Sequence, residues 1–197
     1  MEVTNEWLKE NRACEDGFEW ALKRNYTDAL LTVKALIKCE KVDWANWVIV
    51  RLMTRQQKSK YAVYAAELVI HIYEEKYPND PRPRKAIEAA KNLIKATENA
   101  IIKPVIQNYN IVSAADHINA NAAVAAAEAA LYAINRNDIS AARAANTASY
   151  VARSVNPSYS SAHYTADAAD SAYEAYVDKE IQINVINYGM SLLGLDS

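Results

Sequence analysis

Turn-forming residues are scarce. The chain has three glycines and five prolines in 197 residues. So few cannot punctuate a many-stranded sandwich or barrel, and they leave no material for a glycine-rich phosphate loop. Cysteine is limited to Cys14 and Cys39. That excludes a disulfide framework and offers no zinc-ligand spacing. No uninterrupted apolar run approaches the ~18 residues of a spanning helix. The segment from Met1 to Glu19 carries six carboxylates and no apolar stretch, so no secretory leader is expected and the chain reads as cytoplasmic. An excess of charge is missing too. The 22 Lys and Arg nearly balance the 24 Asp and Glu, for a net charge of −2. This excludes the strongly basic footprint of a nucleic-acid-polymer binder.

What is present is alanine. There are 36, of which 23 fall between Ala114 and Ala175. Charge shifts at the same point. Residues 1–103 hold 18 basic and 15 acidic side chains, and residues 104–197 hold 4 and 9. The expectation is one domain over 1–197 with two halves, a Trp- and charge-rich helical half at 1–103 and an Ala/Tyr-rich helical half at 104–197. The fold class follows from the periodicity. Nearly every segment repeats its apolar residues at three or four, which predicts an all-α, multi-helix bundle. Its front half should hold short amphipathic helices and its back half long Ala-rich ones. Closely spaced alanines let helix axes approach, within one chain or between two copies, so a homo-oligomer is also open.

Helix starts are read from capping residues. Asn5 to Arg12 is a first short helix. Asp16, with Glu19 as its reciprocal partner, should cap the second, Thr27 the third and Asp43 the fourth. Ser59 should open a longer helix through Tyr77, with Ala62, Ala65, Ala66, Val69, Ile72 and Tyr73 as its apolar stripe. Pro78, Pro81 and Pro83 then forbid helix until Pro83 enters the first turn of the next, which should run to about Lys103 and stop at Pro104. Further starts are expected at Ser113, at Asp138 and at Pro157 or Ser158. The last helix should bend near Lys179 and reach Leu193. Trp7, Trp20, Trp44 and Trp47 fall at helical phases and are read as core.

Three side-chain groups could carry chemistry. His163, Asp167, Asp170, Glu174 and Asp178 are spaced by four, three, four and four, so they share one helix face. The face can be a solvated surface, an acidic partner-binding surface or part of a metal site. The bundle carboxylates that a metal would need from facing helices are not evident, and no metal or cofactor is expected. Arg82, Arg84 and Lys85 put cations at a helix start, where the dipole favours anions. They require either an internal carboxylate (Asp80, Glu67, Glu74 or Glu75) or an external anion such as a nucleotide phosphate. Glu67 and His71 form an i, i+4 pair with no nucleophile beside them, read as a half-buried histidine held by its neighbour. Asp116 and His117 are adjacent and so face apart. The cysteines are read as small buried hydrophobes.

Three segments carry a resemblance. They are Ala13 to Leu22 (Ala-Cys-Glu-Asp-Gly-Phe-Glu-Trp-Ala-Leu), Cys39 to Trp47 (Cys-Glu-Lys-Val-Asp-Trp-Ala-Asn-Trp) and Tyr77 to Ala90 (Tyr-Pro-Asn-Asp-Pro-Arg-Pro-Arg-Lys-Ala-Ile-Glu-Ala-Ala). Together with the Ala/Tyr/Asp-rich back half, the chain resembles the immunity-protein domain of bacterial polymorphic-toxin systems, a family also common in phage genomes. The resemblance implies an all-helical, non-enzymatic protein that neutralises a toxin by binding it. A protein partner, a toxin or a defence factor, is therefore expected. The acidic face would steer a basic one. The alternative is a phage anti-defence protein that sequesters a small signalling nucleotide in a helical pocket, gripped by Arg82, Arg84 and Lys85. No membrane partner is expected.

Overall fold

The structure, a computed structural model, describes residues 1–102, 147, 150–151, 164–165, 167–169, 171–172 and 179–195. The described residues are all-α. Seven helices have described bounds: α1 (Asn5–Glu10), α2 (Glu15–Arg24), α3 (Ala29–Lys38), α4 (Val42–Leu52), α5 (Arg55–Lys76), α6 (Arg82–Ile102) and α7 (Lys179–Leu192); the described residues between 147 and 172 are helical as well. Among the described residues there is no strand, only an isolated antiparallel bridge between Glu2 and Asp28. No described helix is long and apolar enough to cross a membrane. Contacts divide the chain into two compact units, Met1–Met53 with Ile186–Ser197, and Thr54–Val185. Composition, in contrast, shifts at residue 103.

In the first unit α1 packs on α2, and α3 packs on α4. Val3, Leu8, Ala29, Val33, Leu36, Val48 and Ile49 are buried there. The N-terminal residues are tied to the start of α3, because Val3 N–H donates to Thr27 O at 2.7 Å and Ala29 N–H to Met1 O at 3.0 Å. The helix starts differ from those expected. Thr4 Oγ1 caps α1 by accepting from Trp7 N–H, and Asp28, not Thr27, caps α3 by accepting from Leu31 N–H at 2.9 Å. Helix α2 begins after Cys14 and α4 after Lys41, neither with a side-chain cap. Asp16 and Asp43 instead lie inside the first turn, where they still favour the dipole.

Three helix ends of this unit close in the same way. In each, a residue in the left-handed region lets two successive N–H groups turn back onto the last helical carbonyls. After α1, Arg12 (φ 58°) donates to Lys9 O and Ala13 to Leu8 O. After α3, Glu40 (φ 56°) donates to Ile37 O and Lys41 to Leu36 O. After α7, Gly194 (φ 68°) donates to Ser191 O and Leu195 to Met190 O. Only the third turn uses the glycine that this geometry favours. The other two place a Cβ-bearing residue there, as the chain's shortage of glycine requires.

In the second unit α5 packs on α6. Helix α5 starts earlier than expected, at Arg55, because Thr54 and Gln57 form a complete capping box. Ser59 lies inside the helix and donates to Arg55 O. Its buried face holds Ala62, Ala65, Ala66, Val69 and Tyr73 as expected, widened by Tyr61 and Ile70, whereas Ile72 is half-buried. Pro83 enters the first turn of α6, buried, after Arg82. The rings of Tyr150 and Tyr164 lie 6.1 Å apart. The starts expected at Ser113, Asp138 and Pro157 or Ser158, and the stop at Pro104, lie outside the described residues.

Candidate functional site

The first unit forms a partly open pocket of about 190 Å³ lined from α1, α2, α3 and α4. The sequence makes the space by placing small residues four apart. Ala13, Gly17 and Ala21 face the cavity from α2 and its approach, while Trp44 and Trp47 face it from α4 and Trp20 closes it from α2. A Cβ at Gly17 would stand 3.1 Å from Cys14 Sγ, a tight contact that a small shift of the exposed thiol relieves. Leu8, Leu36 and Val48 complete a mostly apolar wall.

The aromatic frame is ordered by edge-to-face contacts. Trp7 meets Trp47 at 5.8 Å and 86°, and Trp20 meets Trp44 at 6.3 Å and 80°. Such pairs add about 0.5–1.5 kcal/mol beyond their buried area. Cations cover the rings from outside. Arg51 and Lys41 each lie 3.9 Å from the centroids of Trp47 and Trp44, and Arg24 lies 4.4 Å from that of Trp20. Burial pushes the Arg51 pKa below its ordinary value. One polar atom of the frame has no protein partner. The indole Nε1–H of Trp20 is buried without an acceptor, in a side chain that is 9% exposed.

The tryptophans were expected in the core. Trp20 is, while Trp7, Trp44 and Trp47 are half-buried, and the last two line the pocket. The two cysteines, expected to be buried, are exposed. They stand at the N-cap of α2 and the C-cap of α3, where side chains leave the helix toward solvent.

In the second unit the cations at the start of α6 meet internal carboxylates. Asp80 accepts from Arg82 Nε at 2.8 Å, from Arg82 Nη2 at 2.5 Å, from Arg82 N–H at 3.1 Å and from Tyr73 Oη at 2.7 Å. The Arg82 bonds, with help from Tyr73, hold the Asp80 carboxyl well below the usual range despite its partial burial. Burial, then the bond to Asp80, pushes the Tyr73 phenol far up. Arg84 spans two acids. Its Nε and Nη2 donate to Glu74 at 2.7 Å and its Nη1 to Glu67 at 2.8 Å. Lys91 pairs with Glu67 and, at 3.1 Å, with Glu88. Burial alone would raise the Glu67 pKa, but Lys91 and Arg84 bring it below normal. Glu67 is thus held by α6, and His71, expected to be half-buried, is exposed.

Arg82 and Arg84 therefore already carry anions, and Lys85 is exposed. Of the acidic stripe, Asp167 is helical and half-buried, while His163, Asp170, Glu174 and Asp178 lie outside the described residues. Among the described residues no group of three or more His, Cys, Asp or Glu could hold a metal ion. The cavity was not foreseen. Its one signal in the sequence is the Ala13/Gly17/Ala21 spacing ahead of the Trp44/Trp47 pair. No protein-family model, curated protein or solved structure matches the chain.

Proposed function

We propose that the chain is a non-enzymatic binding protein that neutralises a toxin or host-defence factor by direct association. One observation carries this reading. Two of the three segments that resemble immunity proteins, Ala13 to Leu22 and Cys39 to Trp47, converge on the walls of one aromatic cavity. The part-exposed tryptophans and the cations seated on them make a surface of Trp and Arg. Those residue types dominate the energetics of protein interfaces. Perpendicular ring pairs and stacked cations fix the side chains beforehand, which lowers the entropy cost of docking. The acidic stripe of His163, Asp167, Asp170, Glu174 and Asp178 would add long-range attraction for a basic partner. The third segment, Tyr77 to Ala90, stabilises the second unit through its Asp80 and Arg84 pairs. A phosphate bound at Arg82 and Arg84, as the nucleotide-sequestering alternative requires, would have to displace Asp80, Glu67 and Glu74.

Native mass spectrometry of the protein, purified gently from its own cells, tests the reading. A second protein at fixed stoichiometry is expected, and Trp44→Ala should release it. Charge reversal at Asp170 and Glu174 should slow association and flatten its salt dependence. A chain that emerges alone at every ionic strength would overturn the reading.

A further inference from the structure

We propose that the pocket of the first unit binds a small apolar monocarboxylate of the arylalkanoic-acid class, with its ring among the tryptophans and its carboxylate on Arg12. The inference stands independently of any protein partner. The body of the ligand follows from the walls. Leu8, Leu36 and Val48 are aliphatic, and Trp44 and Trp47 supply aromatic surface. An apolar cavity of about 150 Å³ accepts a benzene ring, and this pocket measures about 190 Å³. One ring with a short aliphatic tether fits that space. The sign of the charge follows from the side chains that meet the walls. Arg12 is the one charged residue of the lining, and it is exposed, so it belongs to the side that opens to solvent. Three further cations, Arg24, Lys41 and Arg51, rest on the rings of lining tryptophans. No carboxylate lines the pocket, although Glu15, Asp16 and Asp43 each adjoin a lining residue in sequence. Residues 1–53 hold nine acidic and eight basic side chains, so this local excess of cations is one of placement, not of composition.

None of the four cations pairs with a carboxylate among the described residues, whereas Lys60, Arg82, Arg84 and Lys91 of the second unit all do. Contact with an aromatic face accounts for the seats of Arg24, Lys41 and Arg51. Arg12 has neither a ring nor an ion pair among the described residues. Its backbone is set by the left-handed turn after α1, so the helix end itself places it beside the pocket. A guanidinium offers a planar fork of donors that matches the two oxygens of a carboxylate. At the open side a carboxylate keeps part of its hydration, which avoids the full cost of burying an ion. The three cations on the rings add attraction across apolar walls that screen charge poorly. They repel a cation of the same shape, and a neutral molecule gains nothing from them.

Phenylpropanoate, phenylpropanamide and phenylpropylamine share a ring and a tether and differ in charge. Titrated into the intact chain by calorimetry, the acid should show a Kd at least tenfold lower than the amide, and the amine should not bind. Added salt should weaken the acid and leave the amide unchanged. Arg12→Asn suits the left-handed backbone and removes the guanidinium, so it should bind the acid only as well as the amide. Ala21→Leu fills the space from α2 and should bind neither. In a proton–nitrogen NMR spectrum of the unaltered chain, the acid should move the indole signals of Trp44 and Trp47. Equal affinity of acid and amide for the unaltered chain would overturn the assignment, as would binding of neither. An Arg12→Asn variant that keeps the preference for the acid would overturn the role of Arg12. Unchanged binding by a folded Ala21→Leu variant would overturn the site. Should that variant fail to fold, unmoved Trp44 and Trp47 signals in the unaltered chain would do the same.

Discussion

At the scale of single residues, Asp80 shows how the sequence's proline-rich break is held. Three prolines prevent helix between α5 and α6, and one carboxylate accepts from Arg82 and Tyr73 to fix the connection. Because its folded pKa lies below the unfolded value, the folded state binds the Asp80 proton less readily. The stability it contributes is complete above an unfolded carboxyl pKa of ~3.9 and is lost as pH falls below it. Asp80→Asn should therefore weaken the fall in melting temperature between about pH 5 and pH 2. An unaltered acid limb would show that the pair contributes nothing. Arg84→Lys keeps the charge and loses the fork that spans Glu74 and Glu67. At a third exposed, the network should lose only about 1 kcal/mol, read from the urea midpoint. The cation cluster was legible in the sequence, including its need for an anion. Asp80, Glu67 and Glu74 were among the four candidate carboxylates that the sequence offers, but the choice between them and an external anion depends on α5 lying beside α6.

At the scale of helices, the all-α class was legible from few turn formers and a steady period of three to four. Helix starts were less so. Local capping residues compete, and tertiary packing chooses among them. Thr54 with Gln57 prevailed over Ser59, and Asp28 over Thr27, in each case where a side-chain oxygen reaches a free N–H. Thr54→Ala should cost about 1 kcal/mol, while Ser59→Ala should not remove a cap. The three similar helix ends give the opposite kind of test. Glu40 occupies a left-handed position that disfavours a Cβ. Glu40→Gly should relieve that strain and stabilise the first unit by about 0.5 kcal/mol, a gain reduced by glycine's greater freedom when unfolded. A lower midpoint for this variant would show that the Glu40 side chain contributes more than its backbone costs. The cavity was the least legible element. Ala13, Gly17 and Ala21 read as ordinary small residues until four helices are placed around them.

At the scale of the whole molecule, all four tryptophans belong to the first unit. Tryptophan emission therefore reports that unit alone. The unit is also discontinuous, since Ile186, Met190, Leu193 and Leu195 are buried members contributed from far along the chain. Removing residues 186–197 should shift tryptophan emission to the red while far-ultraviolet dichroism keeps the signal of α5 and α6. An unshifted spectrum would show that residues 1–53 close without that segment.

This discontinuity matters during synthesis. Residues 1–53 leave the ribosome first, yet their unit stays incomplete until residues 186–195 follow, after all of 54–185 has been made. At ~5–20 residues per second that wait is on the order of ten seconds. Throughout it, residues 1–53 lack the buried segment that completes their unit, and the apolar surface that this segment covers stays open to whatever the nascent chain meets.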